Sequence, residues 1–288
     1  MPELAEVEYY RKQWNPGLGR RVRAVLVHPH AKVFRECNVA RLVNRLAGAT
    51  LLASATSAKQ MLFRFGGGRW LGVHLGMSGA LRAEPAGYTP RKHDHLVLVQ
   101  REHCLVFSDP RMFGRILFSG GRRPPGWWTR LAPPILSEAY TVAAVADFLS
   151  RRRCTPIKPV LLMQERFPGI GNWMADEILW RAAIHPRRPA GSLTPAEIRA
   201  LWRESRRVGR LALATIAGRG HDTPPALNVH IPDSWLFNHR WEDGGRCPRT
   251  GARLVRERIG GRTTCWSPAL QKLRTRSSYP VAPPSLGG

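Results

Sequence analysis

The chain opens with Met1-Pro2-Glu3-Leu4-Ala5-Glu6-Val7-Glu8, and we expect the rest of the fold to be organised around this stretch. Proline at the first helical position, followed by glutamates in the first turn, is a common helix start, because proline has a fixed φ and the helix dipole favours acidic side chains there. The stretch therefore predicts a helix over about residues 3–14. A structural role alone would account for it.

The same stretch also allows a catalytic interpretation. Cells usually remove an initiator methionine that precedes a small residue, and removal of Met1 would make Pro2 the amino terminus, with Glu3 beside it. A free α-amine has a pKa of roughly 8, against about 10.4 for lysine, so it is more often an unprotonated nucleophile near neutral pH. A secondary amine that attacks C1′ of a deoxyribose forms an iminium ion, and the sugar–base bond and then the 3′ phosphate can leave. A neighbouring carboxylate can move the protons.

Composition indicates a globular protein that binds nucleic acid. The 288 residues suffice for two domains, or one large one, with a sizeable core. The 45 Lys and Arg exceed the 20 Asp and Glu by 25 charges, and such a balance favours a phosphate-rich partner. Ribosomal and chromatin-type proteins are equally basic, but they seldom contain ten tryptophans and 43% hydrophobic residues.

The sequence predicts a cytoplasmic location. The acidic start lacks the basic and apolar regions of a signal peptide, and no apolar stretch approaches the roughly 20 residues of a membrane-spanning helix. The cysteines are scattered and odd in number, which is typical of reduced thiols rather than of a disulfide framework. They are Cys37, Cys104, Cys154, Cys247 and Cys265.

The first half of the chain predicts mainly β-strands. Apolar or alternating runs indicate strands at about 21–27, 50–54, 61–65, 70–74, 95–100, 104–107 and 115–118, with a helix near 39–46. Short strands with frequent turns favour a two-sheet sandwich over a parallel α/β sheet.

Three loops of this half contain side chains that could carry chemistry. Lys59 comes just before a strand, Met77 lies between two glycines, and Arg111 and Phe113 share one turn. Each also has an ordinary interpretation: a solvated lysine, a core methionine and a surface turn packed by one phenylalanine.

The second half predicts helices. A Pro/Gly-rich linker around 122–134 is followed by helical periodicity at about 141–152, 158–164, 172–183 and 194–215. The turn Phe167-Pro168-Gly169-Ile170-Gly171 brings Asn172 to a helix amino terminus, where backbone N–H groups can bind an anion such as a phosphate.

The end of the chain predicts a loop and a hairpin. Residues 216–235 lack periodicity, and 253–259 and 262–266 form a hairpin pattern around Gly260-Gly261. A four-cysteine zinc site would need two Cys-x-x-Cys pairs, and the sequence has neither. A site built from His239, Cys247 and Cys265 is an alternative that the sequence disfavours.

Taken in order, these motifs resemble the formamidopyrimidine-DNA glycosylase/endonuclease VIII family of base-excision repair enzymes, from residue 2 to about residue 272. The matching motifs are Pro-Glu-Leu-Ala-Glu-Val-Glu at 2–8, Ala-Lys at 58–59, His-Leu-Gly-Met-Ser-Gly at 74–79, Lys-His-Asp-His at 92–95, Asp-Pro-Arg-Met-Phe-Gly at 109–114, Ile-Lys-Pro at 157–159, Gly-Ile-Gly-Asn at 169–172 and Gly-Gly-Arg-Thr-Thr at 260–264.

The resemblance implies a catalytic group. Pro2 would be the Schiff-base nucleophile, Glu3 would donate and accept protons at the sugar, and Lys59 would be a further proton donor. Arg262, at the tip of the hairpin, would contact phosphate and assist the second elimination.

The resemblance also implies DNA contacts. Flipping a nucleotide out of the duplex costs a few kcal/mol, which inserted side chains partly recover. The residues that would enter the duplex are Met77, Arg111 and Phe113. Those that would hold backbone phosphates are His93, Arg153, Lys158 and Asn172.

The sequence departs from the family pattern in three places. Of the four zinc-ligand positions of the family's finger, only Cys247 carries a cysteine, and the others are Thr250, Ser267 and Leu270. We therefore expect a zincless finger, with no metal and no other cofactor. Ala5 stands where proline is usual, and 216–235 does not match the base-capping loop of 8-oxoguanine-specific members. Oxidised purines, oxidised pyrimidines and ring-opened formamidopyrimidines all remain possible substrates.

Together these observations predict an α+β protein with five parts. These are a catalytic helix and β-sandwich at 1–125, a linker at 126–140, a helix–two-turn–helix domain at 141–235, a zincless-finger hairpin at 236–275 and a disordered tail at 276–288. The expected activity is that of a glycosylase and abasic-site lyase, monomeric, on damaged double-stranded DNA and not at a membrane. The alternatives are an inactive or repurposed lesion-binding protein of the same fold and a basic RNA-binding protein.

Overall fold

The computed structural model describes residues 1–28 and 30–273, so the predicted tail at 276–288 lies outside the described residues. The strands are β1 (Ala24–Val27), β2 (Leu51–Ser57), β3 (Gln60–Phe65), β4 (Arg69–His74), β5 (Ala80–Pro85), β6 (Asp94–Val99), β7 (His103–Ser108), β8 (Arg115–Gly120), β9 (Val255–Ile259) and β10 (Arg262–Trp266). The helices are α1 (Leu4–Lys12), α2 (Val39–Leu46), α3 (Gly126–Thr129), α4 (Val142–Ser150), α5 (Ile157–Val160), α6 (Asn172–Arg181) and α7 (Pro195–Ala212). The predicted α+β class is confirmed.

Eight strands form the sandwich that the alternating pattern predicted. One sheet has the order β1-β6-β7-β5 and the other β2-β3-β4-β8, and all neighbours are antiparallel. Apolar side chains from both sheets fill the space between them, including Phe63, Leu71, Leu98 and Phe107. Because every second residue of a strand points to the same face, this burial fixes the register of each strand.

Two elements of the first half were absent from the sequence prediction. Strand β5 carries Arg82 and Glu84 between its apolar residues, and Arg82 donates to both oxygens of Asp94 at the start of β6. Its pairing with β7, rather than its own hydrophobicity, makes it a strand. The short helix α3 lies inside the predicted linker, where the Trp127 ring packs so closely on Gly72 of β4 that a Cβ atom there would overlap it.

Helix α1 contributes to two separate hydrophobic cores. Its first turn packs Leu4 and Ala5 among the helices of the second half. One turn later, Val7 packs into the core of the sandwich together with Trp14, whose indole N–H donates to the carbonyl of Val106. The amino-terminal segment therefore joins the two halves of the molecule.

The second half is a helical unit followed by a hairpin. Thr194 begins α7 with a capping box that Glu197 completes, and a π-helical turn, Leu213–Ala217, ends it. The loop predicted at 216–235 begins two residues later, because residues 216 and 217 belong to this π-helical turn, and residues 218–235 contain no helix or strand. Strands β9 and β10 form the predicted hairpin around Gly260-Gly261. Within the described ranges, no helix is both long and apolar enough to cross a membrane.

A buried lysine holds α1 against the start of the 218–235 loop. The Lys12 ammonium donates to the carbonyl oxygens of Ala217, Gly218 and Asp222 at 2.8, 3.0 and 2.9 Å, and the residue is only 4% exposed. Because the carbonyls of Ala217 and Gly218 lie at the carboxyl end of the π-helical turn that follows α7, the positive charge also complements the helix dipole.

Replacing this ammonium should cost more stability than replacing an exposed one. In Lys12→Met three carbonyl groups lose their donor, and we expect the free energy of unfolding in urea to fall by about 2–4 kcal/mol. Lys32→Met, at an exposed side chain, is the control and should change it by less than about 0.5 kcal/mol. Equal effects of the two substitutions would contradict a clamping role for Lys12.

Candidate active site

The structure brings five of the predicted site residues to one cleft. A cavity of about 560 Å³ lies between the start of α1, the β2–β3 turn, the amino end of α6 and the tip of the β9–β10 hairpin. The predicted residues that line this cleft are Glu3, Lys59, Met77, Asn172 and Arg262.

The carboxylate of Glu3 caps helix α6. It accepts hydrogen bonds from the backbone N–H groups of Gly171, Trp173 and Met174 at 2.8, 2.9 and 3.1 Å. The glycine-rich turn was expected to bind a phosphate with these groups, and that expectation is wrong for them: the bound anion is a side chain of the protein itself. A Cβ atom at Gly171 would overlap the Glu3 side chain, which explains why a glycine stands at this turn.

Burial moves the pKa values of Glu3 and Lys59 towards each other, although their opposite charges partly oppose both shifts. Burial raises the pKa of the Glu3 carboxyl, against the nearby Lys59 charge and the N–H groups of Trp173 and Met174. Burial likewise lowers the pKa of the Lys59 ammonium, against the charges of Glu3 and Glu6, while Arg262 lowers it further. An acid and a base whose pKa values move towards neutrality in one cleft are suited to proton transfer.

Glu6 belongs to this group but was not singled out from the sequence. One of its oxygens accepts from the backbone N–H of Glu3 at 3.1 Å, and the other accepts from the indole N–H of Trp173 at 2.8 Å. Burial and the charge of Glu3 raise the pKa of Glu6 to about 7. The spacing of Glu3 and Glu6, three residues apart at a helix start, was the available signal for this capping box.

The amino terminus lies at the cleft. Met1 lines it and is half exposed, and its sulfur lies 4.0 Å from Nζ of Lys59. Pro2 lines a smaller pocket that adjoins the cleft. Removal of Met1 would therefore free the Pro2 nitrogen beside Glu3 and clear space next to Lys59.

We call this smaller cavity, of about 240 Å³, the side pocket. Its walls include Pro2, Glu6, Tyr10, Asn228 and Trp241. It shares Met1, Met77, Trp173 and Trp241 with the cleft, so the two cavities are continuous. Asn228 places the 218–235 loop in its wall.

Asp109 holds together the two loops that were expected to enter the duplex. Its carboxylate accepts from the Ser78 hydroxyl at 2.6 Å and from the N–H groups of Arg111 and Gly114 at 3.2 and 2.7 Å. Met77 and Phe113 remain 39% and 52% exposed on these loops. The Arg111 guanidinium carbon lies 4.8 Å from the centre of the Phe113 ring. The three side chains thus form one exposed group beside the cleft.

Two of the predicted phosphate ligands lie outside the cleft lining. The backbone carbonyl of His93 accepts from the N–H of Asp109 at 3.0 Å, so His93 lies next to the loop of Arg111. Arg153 is exposed on the turn after α4, where its carbonyl accepts from Gly191. Both remain predictions as phosphate ligands.

The expectation for Lys158 is wrong in this structure, because its ammonium is fully buried. It donates to the carbonyl of Asn172 at 2.6 Å and to the carboxylate of Asp176 at 2.5 Å. An ammonium enclosed in this way has no access to a phosphate. Burial lowers its pKa, and the Asp176 charge opposes that shift.

Asp176 connects α6 to the hairpin. Besides Lys158, it accepts from the Arg240 guanidinium at 2.5 Å and from the backbone N–H of Cys265 in β10 at 3.1 Å. The side-chain amide of Asn172 donates to the carbonyl of Thr263 in the same strand. These bonds fix the strand that carries Arg262, so Asn172 and Asp176 position the hairpin tip at the cleft.

The four residues at the family's zinc positions cluster around one thiol. The Trp180 indole N–H donates to Sγ of Cys247 at 3.4 Å, and Leu270 packs against the same hydrophobic group. Burial alone would raise the pKa of this thiol, but its polar neighbours Thr250, Trp180 and Ser267 lower it to about 7. One thiol, two hydroxyls and a leucine do not fit a zinc ion. Among the residues that the structure describes, no group of three or more His, Cys, Asp or Glu could hold a metal, so His239, Cys247 and Cys265 do not form a site.

Several residues of the site were not predicted from the sequence. Their positions depend on contacts between distant parts of the chain. His74 at the cleft accepts from the N–H of Gly76, and burial with the charges of Arg115, Lys59 and Arg35 lowers its pKa to about 4. The others are Asp176, Arg240 and Trp241.

Comparison with known proteins gives one consistent match. Models of the formamidopyrimidine-DNA glycosylase N-terminal domain and of its H2TH domain match residues 1–116 and 131–221. The formamidopyrimidine-DNA glycosylase of Laribacter hongkongensis is 35% identical over 94% of this chain and 100% of its own length. The enzyme of the same name from Thermus thermophilus is 35% identical over 94% of this chain and 98% of its own.

Solved structures agree with these relatives. Formamidopyrimidine-DNA glycosylase of Lactococcus lactis, bound to DNA with an abasic site, superposes with a TM-score of 0.80 at 25% identity over 94% of this chain and 100% of that chain. The same enzyme bound to DNA that contains an oxidised pyrimidine superposes with a TM-score of 0.83 at the same identity and coverage.

Filling the space at Gly171 should displace Glu3. In Gly171→Ala we expect the rate of the chemical step to fall at least about 100-fold, because the added methyl group moves the carboxylate and its three donors by more than hydrogen bonds tolerate. Gly66→Ala, where the nearest heavy atoms would be 3.9 Å from the new Cβ, is the control and should keep the wild-type rate. Single-turnover cleavage of an abasic-site duplex measures both variants. Full activity of Gly171→Ala would contradict this placement of Glu3.

The raised pKa of Glu6 predicts a pH-dependent stability. Between pH 4.5 and about 7 the folded protein keeps a proton on Glu6 that the unfolded chain has lost, so stability is complete below pH 4.5 and falls as the pH rises towards 7. Glu6→Gln has no group that titrates at this position. Its free energy of unfolding, relative to that of wild type, should therefore rise by up to about 3 kcal/mol across that range.

Urea unfolding at a series of pH values measures this difference. Glu138→Gln, at an exposed side chain, is the matched control and should follow the wild-type profile. A Glu6→Gln profile parallel to that of wild type would show that Glu6 titrates normally in the folded protein.

Proposed function

We propose that this chain, which belongs to the formamidopyrimidine-DNA glycosylase family of DNA-repair enzymes, combines base excision with cleavage of the resulting abasic site. The observation that carries the proposal is the position of the amino terminus. Pro2 lies beside the cleft that contains Glu3, Lys59 and Arg262. Removal of Met1, which we also propose, leaves a secondary amine at that place.

The reaction needs one nucleophile and groups that move protons. The Pro2 nitrogen bonds to C1′ and loses its own proton as the bond between C1′ and the damaged base breaks, and the base leaves with the bonding electrons and takes up a proton. The sugar ring then opens to an iminium ion as O4′ takes a proton, for which the Glu3 carboxyl is suited by its raised pKa. Loss of a C2′ proton expels the 3′ phosphate, and Lys59 is the second group close enough to exchange protons.

The surfaces around the cleft suit a duplex with one nucleotide turned outward. The exposed side chains of Met77, Arg111 and Phe113 are apolar or planar, as required to fill the gap in the stack. Arg262 at the hairpin tip and the net charge of +25 favour the phosphates near the lesion. Pro2 lines the side pocket, so a nucleotide bound to Pro2 through C1′ would have its turned-out base in this pocket.

Structures of a relative bound to DNA indicate the class of lesion. Solved structures of the Lactococcus lactis enzyme contain DNA with an abasic site, an oxidised pyrimidine or a formamidopyrimidine. We propose that the present chain acts on oxidised or ring-opened bases and that its finger works without zinc. A DNA substrate and the basic surface favour a cytoplasmic location at the nucleoid, which we also propose.

A lesion-binding protein without catalysis is the second candidate. The departures at Thr250, Ser267 and Leu270 favour it, because they alter the finger that the family uses on DNA. The retained Pro2, Glu3 and Lys59 argue against it. Chemical trapping distinguishes the two.

Borohydride should trap the protein on DNA through Pro2. Reduction of the iminium ion leaves a covalent adduct with an abasic-site duplex. The yield should fall at least about 100-fold in Pro2→Gly, and equally when a leucine inserted after Met1 blocks removal of the methionine, because the reacting nitrogen is then altered or acylated. Denaturing electrophoresis of the adduct measures the yield.

Pro16→Gly, which alters a proline at a turn outside the cleft, is the control and should be trapped like wild type. Binding of the duplex by Pro2→Gly should persist. Wild-type binding without any trapped adduct would favour the non-catalytic candidate.

A further inference from the structure

One aromatic side chain at the junction of the two cavities has no role so far. Trp241 is 54% exposed and lines both the cleft and the side pocket. The structure describes all ten tryptophans of the chain, and Trp241 is the only one of them that is exposed. Leaving so large an apolar surface in water is unfavourable, and it is expected where the surface has a ligand.

The ring of Trp241 is held in place from two sides. Phe237 meets it edge to face, with ring centres 5.1 Å apart and an angle of 78° between the planes. The Arg240 guanidinium carbon lies 4.8 Å from the ring centre, and Arg240 itself is anchored by its ion pair with Asp176. The buried network that fixes the hairpin thus also orients this ring, so the exposed part of the indole is a preformed surface.

The rest of the side pocket supplies polar groups. Glu6 lines it, and burial raises the pKa of its carboxyl group to about 7. Asn228 stands in the wall with a left-handed backbone (φ 65°), and its amide oxygen is buried without a hydrogen-bond partner among the described residues. A flat ligand with hydrogen-bonding edges would match an aromatic wall combined with such groups.

We propose that Trp241 stacks on the turned-out damaged base in the side pocket and thereby contributes to the choice of lesion. The inference rests on the proposed function, since it needs a base to be turned out beside Pro2. Every nucleobase has a π-face, and aromatic stacking on a base changes affinity about 5-fold to 150-fold. An abasic site has no base for Trp241 to contact.

The experiment compares two duplexes of identical sequence. One carries a damaged base and the other carries a preformed abasic site. The damaged base is a formamidopyrimidine or an oxidised cytosine, whichever the wild type excises. In Trp241→Ala the ratio of kcat/KM for base excision to kcat/KM for abasic-site cleavage should fall about 10-fold to 100-fold. Trp241→Phe retains a ring and should recover most of the ratio.

A matched control separates stacking from the general loss of an indole. Trp128→Ala, at a half-buried tryptophan of α3 that lines neither cavity, should keep the wild-type ratio. An unchanged ratio in Trp241→Ala, whether both activities persist or both fall together, would overturn the inference and leave the proposed function intact. Failure of the wild type to excise either base would overturn the proposed base excision, and the inference with it.

Discussion

The site depends on one interaction, the binding of the Glu3 carboxylate to the amino end of α6. Three backbone N–H groups that a helix leaves without partners are satisfied by a residue about 170 positions earlier in the chain. The helix dipole favours the negative charge, while burial disfavours it and raises the pKa, so the carboxyl group is firmly placed and more easily protonated than an exposed glutamate. Placement and reactivity of Glu3 therefore have the same physical origin.

The remaining parts of the site are arranged around this interaction by buried polar contacts. Glu6 closes the capping box of α1 and reaches Trp173 of α6. On the other side of α6, Asp176 binds two cations and one backbone N–H of the hairpin. Breaking such a buried network by removing one partner is costly, because the other charges stay buried without compensation. One helix thus aligns the amino terminus with the hairpin tip.

The sequence was sufficient for the elements but not for several contacts. Hydrophobic periodicity predicted the sandwich, the helices α4, α6 and α7 and the hairpin, because in each the buried face is regular. It missed β5, whose Arg82 and Glu84 are charged and whose strand pairing comes from β7. Periodicity did not predict the site. The family resemblance assigned Glu3, Lys59, Asn172 and Arg262 to one site.

The sequence did not show which groups each polar side chain or backbone N–H binds in the folded protein. A glycine turn at a helix start has the same pattern whether its N–H groups face a phosphate or a distant glutamate. The family resemblance placed Lys158 at a phosphate, although Asp176 encloses it in the structure. Trp241 carries no periodic signal at all, because its exposure is a property of the assembled cleft.

Helix α1 packs into both hydrophobic cores, and this has a consequence for synthesis on the ribosome. The groups that receive Glu3 and Lys12 belong to residues 171–174 and 217–222. At about 5–20 residues per second they follow the first residues by roughly 10–40 s. During that interval Glu3 and Lys12 lack their partners, even after β8 has completed its sheet and the sandwich core can receive Val7 and Trp14. The nascent chain therefore presents its first residues to aminopeptidases before the amino end of α6 binds Glu3.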